Sequence, residues 1–285
     1  MSWAWAQMVE YWAYPFVRHA LLAGAAISIC ASLLGVTLVL RRYSYIGDGL
    51  SHVAFGAMAI ATVLGIHNDV VVVLPVTMAV SVLLLCAGAH STVRGDAALA
   101  MLSVGAVAFG YFILNVFPTA SANISGDVCS ALFGSTSILT LSTFDVWFCA
   151  ACSLVVIALF AIFHRIVFSV TFDPVFAAAS GIRTGLYNIF FSLVVAAVIV
   201  LAMQLVGALL VAALVVFPAL SAMAFCRSFL GAVVASAALS LICTLLGLLT
   251  SILAGTPVGA TIVLTQTILF LLCRCVIQPL LGRRK

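Results

Sequence analysis

The sequence predicts an all-α membrane protein, a polytopic bundle of about nine transmembrane helices, and three observations carry that expectation. Of its 285 residues, 66% are hydrophobic and only 6% are charged, whereas a soluble domain carries roughly 25% charged residues. Mean hydropathy is +1.38. Several apolar runs approach or exceed the ~20 residues that cross the hydrocarbon core of a bilayer. The alternation of a membrane β-barrel is absent. Helices are then the way to satisfy every backbone group in lipid.

The apolar runs place spans at about 17–40, 49–65, 70–89, 97–117, 143–163, 187–203, 206–225, 229–250 and 257–279. The loops between them are short, so sequential helices are expected to pack as neighbours. No stretch fits a separate soluble domain, and residues 1–285 read as one transmembrane unit.

Basic residues set the orientation. Arg41 and Arg42 follow the first span, Arg94 the third, Arg165 and Arg183 the fifth, and Arg227 the seventh, with Arg283, Arg284 and Lys285 after the ninth. Nine spans put all of these on one side, which the positive-inside bias makes the cytoplasm. The N-terminus is then external and the C-terminus cytoplasmic, with Arg18 on the outer side. The net charge of +4 is scattered between apolar runs, so it marks topology and not nucleic-acid binding. The first fifteen residues lack a basic n-region, so no cleavable signal is expected. Trp3, Trp5, Tyr11, Trp12 and Tyr14 resemble an interfacial aromatic belt.

Two stretches depart from simple spans. Residues 119–142 hold Thr, Ser, Asn and Gly around short apolar pieces such as Ala131-Leu132-Phe133. Both neighbouring spans require this stretch to begin and end outside, as a re-entrant helix or an external surface helix. The second stretch is the cytoplasmic link 165–186. Asp173-Pro174 supplies a helix start, with Asp as N-cap and Pro at the first helical position. Gly181 supplies the stop. A helix of about two turns results, either a tight connector or a docking element for a cytoplasmic partner.

Seven acids occur in the chain: Glu10, Asp48, Asp69, Asp96, Asp127, Asp145 and Asp173. Most lie in loops or at span ends, where solvation explains them. Asp48 opens the second span and His52 follows four residues on, which puts both side chains on one helical face. Ionisable groups within a membrane normally face a cavity or a partner. Carboxylate oxygen and imidazole nitrogen are both ligands for zinc and other first-row metals. The alternative is an acid at the cytoplasmic interface near Arg42, with His52 as a hydrogen-bonded core residue. Two ligands make an incomplete site, which two copies about a common axis would double to four.

Most of the nine cysteines sit inside apolar runs, among them Cys30, Cys86, Cys149, Cys152, Cys243 and Cys273, where Cys behaves as a small hydrophobe. The Cys149-x-x-Cys152 pair has no second pair to complete a metal or redox motif. Neither a His-Glu-x-x-His nor a Gly-x-x-x-x-Gly-Lys-Ser/Thr run is present, so a zincin site and an internal nucleotide site are excluded.

The run Arg41-Arg42-Tyr-Ser-Tyr-Ile-Gly47-Asp48-Gly-Leu-Ser51-His52 resembles the signature of the permeases of zinc and manganese ABC importers, the ABC-3 family. So does Val206-Gly207 through Pro218-Ala219 to Ala222. Phe172-Asp173-Pro174 with Ala177 and Gly181-Ile182 resembles that family's coupling helix, and Leu132-Phe133-Gly134 its short external helix. The resemblance implies a non-catalytic, two-fold permease in the plasma (inner) membrane. It would dock on two cytoplasmic ATPase subunits and receive its ion from an extracytoplasmic metal-binding protein. Asp48 and His52 match the family's intramembrane metal pair, and Asp173, Pro174, Ala177 and Gly181 match its coupling helix. Ser135 stands where relatives often carry Asp or Asn, and Met223 where a basic residue is common. Val53-Ala54-Phe55-Gly56 replaces the Pro-Gly form of many manganese relatives. That departure makes zinc the leading ion, with manganese or iron as alternatives; an ion-coupled secondary metal transporter is the rival class. No permanently bound cofactor and no nucleic-acid partner are expected, and ATP belongs to the partner subunits.

Overall fold

A computed structural model describes residues 14–66, 69–87, 95–117 and 143–277. Ten α-helices run through them: α1 Pro15–Leu40, α2 Ile46–Val63, α3 Val70–Ala87, α4 Gly95–Val116, α5 Thr143–Phe172, α6 Pro174–Ala179, α7 Thr184–Val206, α8 Ala208–Met223, α9 Phe229–Ala254 and α10 Val258–Leu272. A π-helical turn, Cys273–Ile277, continues α10. Each of the nine predicted spans coincides with a helix. Seven are long and apolar enough to cross a membrane, while Val70–Cys86 and Ala208–Met223 are shorter apolar helices. The stretch 119–142 and the aromatic run Trp3–Trp12 lie outside the described residues.

α1 is the axis of the bundle. It packs on α5, α8 and α9, and it carries Ser28, Ser32, Gly24 and Gly35 on its buried faces. Apolar side chains gain nothing by leaving lipid, so spans associate through close backbone approach and interhelical hydrogen bonds. Ser240 Oγ donates to the Ser28 carbonyl at 3.0 Å and Ser236 Oγ to the Ser32 carbonyl at 3.4 Å. These pairs run in opposite directions, so α1 and α9 are antiparallel. A Cβ on Gly24 would stand 3.5 Å from Thr244 Cγ2, which extends the same register by one turn, and 3.0 Å from Leu248 Cδ1 beyond it. A Cβ on Gly35 would collide with the Val215 carbonyl of α8, so glycine sets that crossing.

Other pairs fix further directions. Cys30 Sγ–H reaches the Ser153 carbonyl, and Arg41 reaches that of Val170, which makes α1 and α5 parallel. Gly49 abuts Leu99 and Gly56 abuts Ala106, so α2 and α4 are parallel as well. Gly247 lies against Ile262 and Cys243 against Thr265, so α9 and α10 are antiparallel. All four relations agree with spans that alternate in direction.

Two departures from the sequence reading have physical causes. α5 continues to Phe172, nine residues beyond the predicted end at 163. Val167 and Val170 stay buried along that extension, and no breaker occurs before Asp173-Pro174, where proline drives the preceding residue out of the helical region. The predicted link 165–186 is therefore mostly helix. Secondly, α7 and α8 are separated by Gly207 alone, at φ 89 and ψ 158. A side chain is disfavoured at that positive φ. Val206, Gly207 and Ala208 are buried, as irregular backbone at membrane depth must be.

Candidate metal-handling site

Asp48 stands in the first turn of α2, where the positive end of the helix dipole favours a carboxylate. One turn later His52 Nε2 lies 3.3 Å from Asp48 Oδ1. On the other side, Ser103 Oγ of α4 donates to Asp48 Oδ2 at 3.2 Å. The approach of α4 depends on glycine: a Cβ would stand 3.1 Å from Leu99 Cδ2 at Gly49, and 3.1 Å from the Ala106 carbonyl at Gly56. Gly47 similarly admits α8, its Cβ position 3.1 Å from Ala212 Cα. α2 is thus wedged between α4 and α8 with Asp48 and His52 along its open edge.

The site is open to exchange but not bathed in solvent. The Asp48 side chain is 33% exposed and that of His52 17%. When Nε2–H donates to the carboxylate, the imidazole lone pair falls on Nδ1. That atom is buried and has no hydrogen-bond partner. One turn beyond, Phe55 is buried against Gly110 and packs on Tyr111 with ring centres 5.9 Å apart.

The chemistry follows from the donor set. A carboxylate, an imidazole and a hydroxyl offer oxygen and nitrogen donors of the kind that bind divalent first-row metals. Among the described residues no group of three or more His, Cys, Asp and Glu stands ready to hold a metal within one chain. Sequence spacing identified Asp48 and His52 as a pair. It missed Ser103, because one serine within an apolar span is common and only the facing of α2 and α4 singles it out.

Residues 13–277 match the ABC 3 transport family. This chain belongs to that family. It is 29% identical over 259 residues to the manganese import system permease protein ScaB of Streptococcus parasanguinis, covering 91% of this chain and 90% of the relative. It is 28% identical over 257 residues to the manganese transport system membrane protein MntC of Listeria monocytogenes, covering 90% and 89%. In structure it resembles PsaBC from Streptococcus pneumoniae in complex with Fab, with a TM-score of 0.80 at 24% identity over 95% of this chain and 96% of that one.

The ABC 3 match also spans α6, the element that the sequence reads as either a tight connector or a docking helix. Asp173 caps it, Oδ1 accepting from the Phe176 amide at 2.8 Å, and Pro174 occupies its first turn. Gly181, at φ 86, turns the chain away. The Ile182 amide bonds back to the Ala177 carbonyl at 3.1 Å. Ala177 is 0% exposed and faces the chain's own body; Val175, at 78%, and Phe176, at 65%, face outward. The resemblance matched Ala177 to the coupling helix; in this six-residue helix that residue turns inward and its neighbours Val175 and Phe176 are presented.

Proposed function

We propose that this chain is the membrane-spanning permease subunit of an ATP-driven importer that moves a divalent transition-metal ion into the cytoplasm by alternating access. One observation carries the reading: an Asp–His–Ser cluster at the start of a membrane span, with an imidazole nitrogen buried and unpartnered. Family membership and the names of the relatives support it.

The ion passes and is not stored. Asp48 and His52 of one chain leave a coordination sphere half filled, and a second copy about a two-fold axis would double the donors to two oxygens and two nitrogens. A site of that kind binds weakly enough to release its cargo. Cytoplasmic ATPase subunits would dock on Val175 and Phe176 of α6, and an extracytoplasmic metal-binding protein would deliver the ion. The subunit performs no covalent chemistry. The N-terminus is external and the C-terminus cytoplasmic in this reading, in keeping with the Arg distribution and the alternating helix directions. On the relatives' names manganese is the first candidate. The Val53-Ala54-Phe55-Gly56 run favours zinc as the second, and the oxygen/nitrogen donor set accepts both.

The test is uptake of labelled manganese and zinc by proteoliposomes holding this chain with its ATPase subunits, with and without ATP. ATP-dependent uptake that Asp48→Asn abolishes supports the reading. Uptake that persists without ATP under an imposed ion gradient replaces it with a secondary transporter.

A further inference from the structure

Arg41 caps the end of α1, and its partners are unusual for an arginine held largely inside a protein. One guanidinium nitrogen donates to Asn188 Oδ1 of α7 at 3.0 Å, and another reaches the Val170 carbonyl of α5 at 3.4 Å. The guanidinium carbon lies 5.8 Å from the ring centre of Tyr187 and 5.4 Å from that of Phe191. Those two rings stack on each other at 5.9 Å. Among the described residues no carboxylate pairs with Arg41; the ion pair there is Asp48 with His52. A planar guanidinium is suited to this mixture of fork-like donation and ring stacking.

What Arg41 grips matters more than how. Val170 lies less than one turn before Asp173, the cap of α6, and Asn188 lies in the opening turns of α7, just after Gly181–Arg183. Arg41 therefore holds both arms from which α6 is suspended. On its other side it begins the short link to α2, whose first turn carries Asp48. Within that link Arg42 takes φ 63, alone among the described non-glycine residues in the positive range, and the Tyr43 amide bonds back to the Leu38 carbonyl at 2.9 Å. The link is a tight, strained turn, which transmits displacement better than slack chain.

We propose that Arg41 is a positioning residue that couples α6 to the Asp48/His52 site. Displacement of α6 moves the ends of α5 and α7, and the guanidinium carries that displacement to the start of α2. The inference rests on the reading of this chain as an ATP-coupled permease. Because Arg41 is held by a carbonyl, an amide and two ring faces, it can shift along the Tyr187–Asn188–Phe191 face without separating a buried ion pair, a step that would be costly. Such a clasp suits an element with two arrangements.

The experiment compares wild type, Arg41→Met, Arg41→Lys and Tyr187→Phe in the complex with its ATPase subunits. It measures assembled protein, manganese and zinc binding without ATP, ATP hydrolysis, and uptake per ATP hydrolysed. Arg41→Met is expected to bind metal as wild type does while uptake per ATP falls about tenfold, within the usual range of coupling energies. Arg41→Lys recovers part of the loss, since it keeps charge but not the fork. Tyr187→Phe removes a hydroxyl that has no partner and leaves the ratio unchanged. If Arg41→Met does not assemble, Asn188→Ala must lower the ratio in its place. An unchanged ratio, or a fall in metal binding that parallels uptake, overturns the inference alone. A wild-type complex that imports neither ion overturns the functional reading together with it.

Discussion

Two of the polar regions within the apolar bundle are built on opposite terms. Along the α1–α9 seam, Ser28, Ser32, Ser236 and Ser240 are each 0% exposed. Each hydroxyl donates to a carbonyl: Ser28 to Ala25, Ser32 to Ile29, Ser236 to Ser32 and Ser240 to Ser28. At the start of α2, by contrast, Asp48 and His52 remain partly open, and His52 Nδ1 has no partner. A polar group buried without a hydrogen bond costs free energy, so the bonded serines read as structure, whereas an unpartnered imidazole nitrogen beside a partly open carboxylate reads as a place prepared for something absent. Thr37, Thr244, Tyr187 and Gln266 also hold side-chain atoms buried without a partner, so unmet demand marks a site only where metal-ligating groups converge, as Asp48 and His52 do.

The comparison can be broken most severely on its packed side. Replacing Gly35 with leucine drives a side chain into the Val215 backbone, whose carbonyl carbon lies only 3.0 Å from the Cβ position. Backbone cannot yield as a flexible side chain can, so the cost should lie at the upper end of the about 1–3 kcal/mol usual for overpacking. Most of the protein should be lost from the membrane fraction, as read by the yield of monodisperse protein after gel filtration. Normal yield would mean that α1 and α8 do not cross where described.

At the open site the expected outcome is the reverse: intact assembly and lost transport. Asp48→Asn keeps shape and removes the anionic oxygen, and His52→Ala removes the nitrogen. Either should lower metal uptake about a hundredfold or more, since loss of a ligand's outer-shell partner alone brings roughly 10- to 100-fold, with yield near wild type. A matched fall in yield and uptake would return the pair to a structural role. Ser103→Ala is the finer probe. It removes the 3.2 Å hydrogen bond to Asp48 Oδ2 and should weaken apparent metal affinity about tenfold, with maximal uptake preserved at saturating ion. An unchanged half-saturating concentration would show that Ser103 merely lines the site.

Much of this was legible in the sequence, and the reason is physical. Span positions follow from hydropathy because lipid admits little else. The pair Asp48 and His52 was legible because four-residue spacing fixes a shared face before any fold is known. Ser103 and the Arg41 clasp were not, since both depend on which helices meet. Ser103 faces Asp48 only because Gly49 and Gly56 let α4 approach, and a glycine in an apolar run has many other uses. The inward turn of Ala177 was equally hidden, because a helix of six residues has too few positions for periodicity to reveal its buried face.

The smallest expected effect is also the sharpest test of the contrast. Ser240→Ala removes a hydroxyl whose 3.0 Å bond to the Ser28 carbonyl joins α9 to α1. Ser28 lies inside α1, so its carbonyl keeps a helical partner and no buried acceptor is orphaned. Interhelical hydrogen bonds between membrane spans average about 0.6 kcal/mol, so the thermal midpoint of the purified complex should drop only slightly. Combined with Ser236→Ala, one turn away and bonded to a different carbonyl, the loss should roughly add, since the two share no partner. Uptake, uptake per ATP and metal affinity should all match wild type. A clear fall in uptake with assembly intact would show that α1 and α9 move against each other during transport. The seam would then belong to the moving parts, and satisfied hydrogen bonds would no longer separate scaffold from mechanism in this chain.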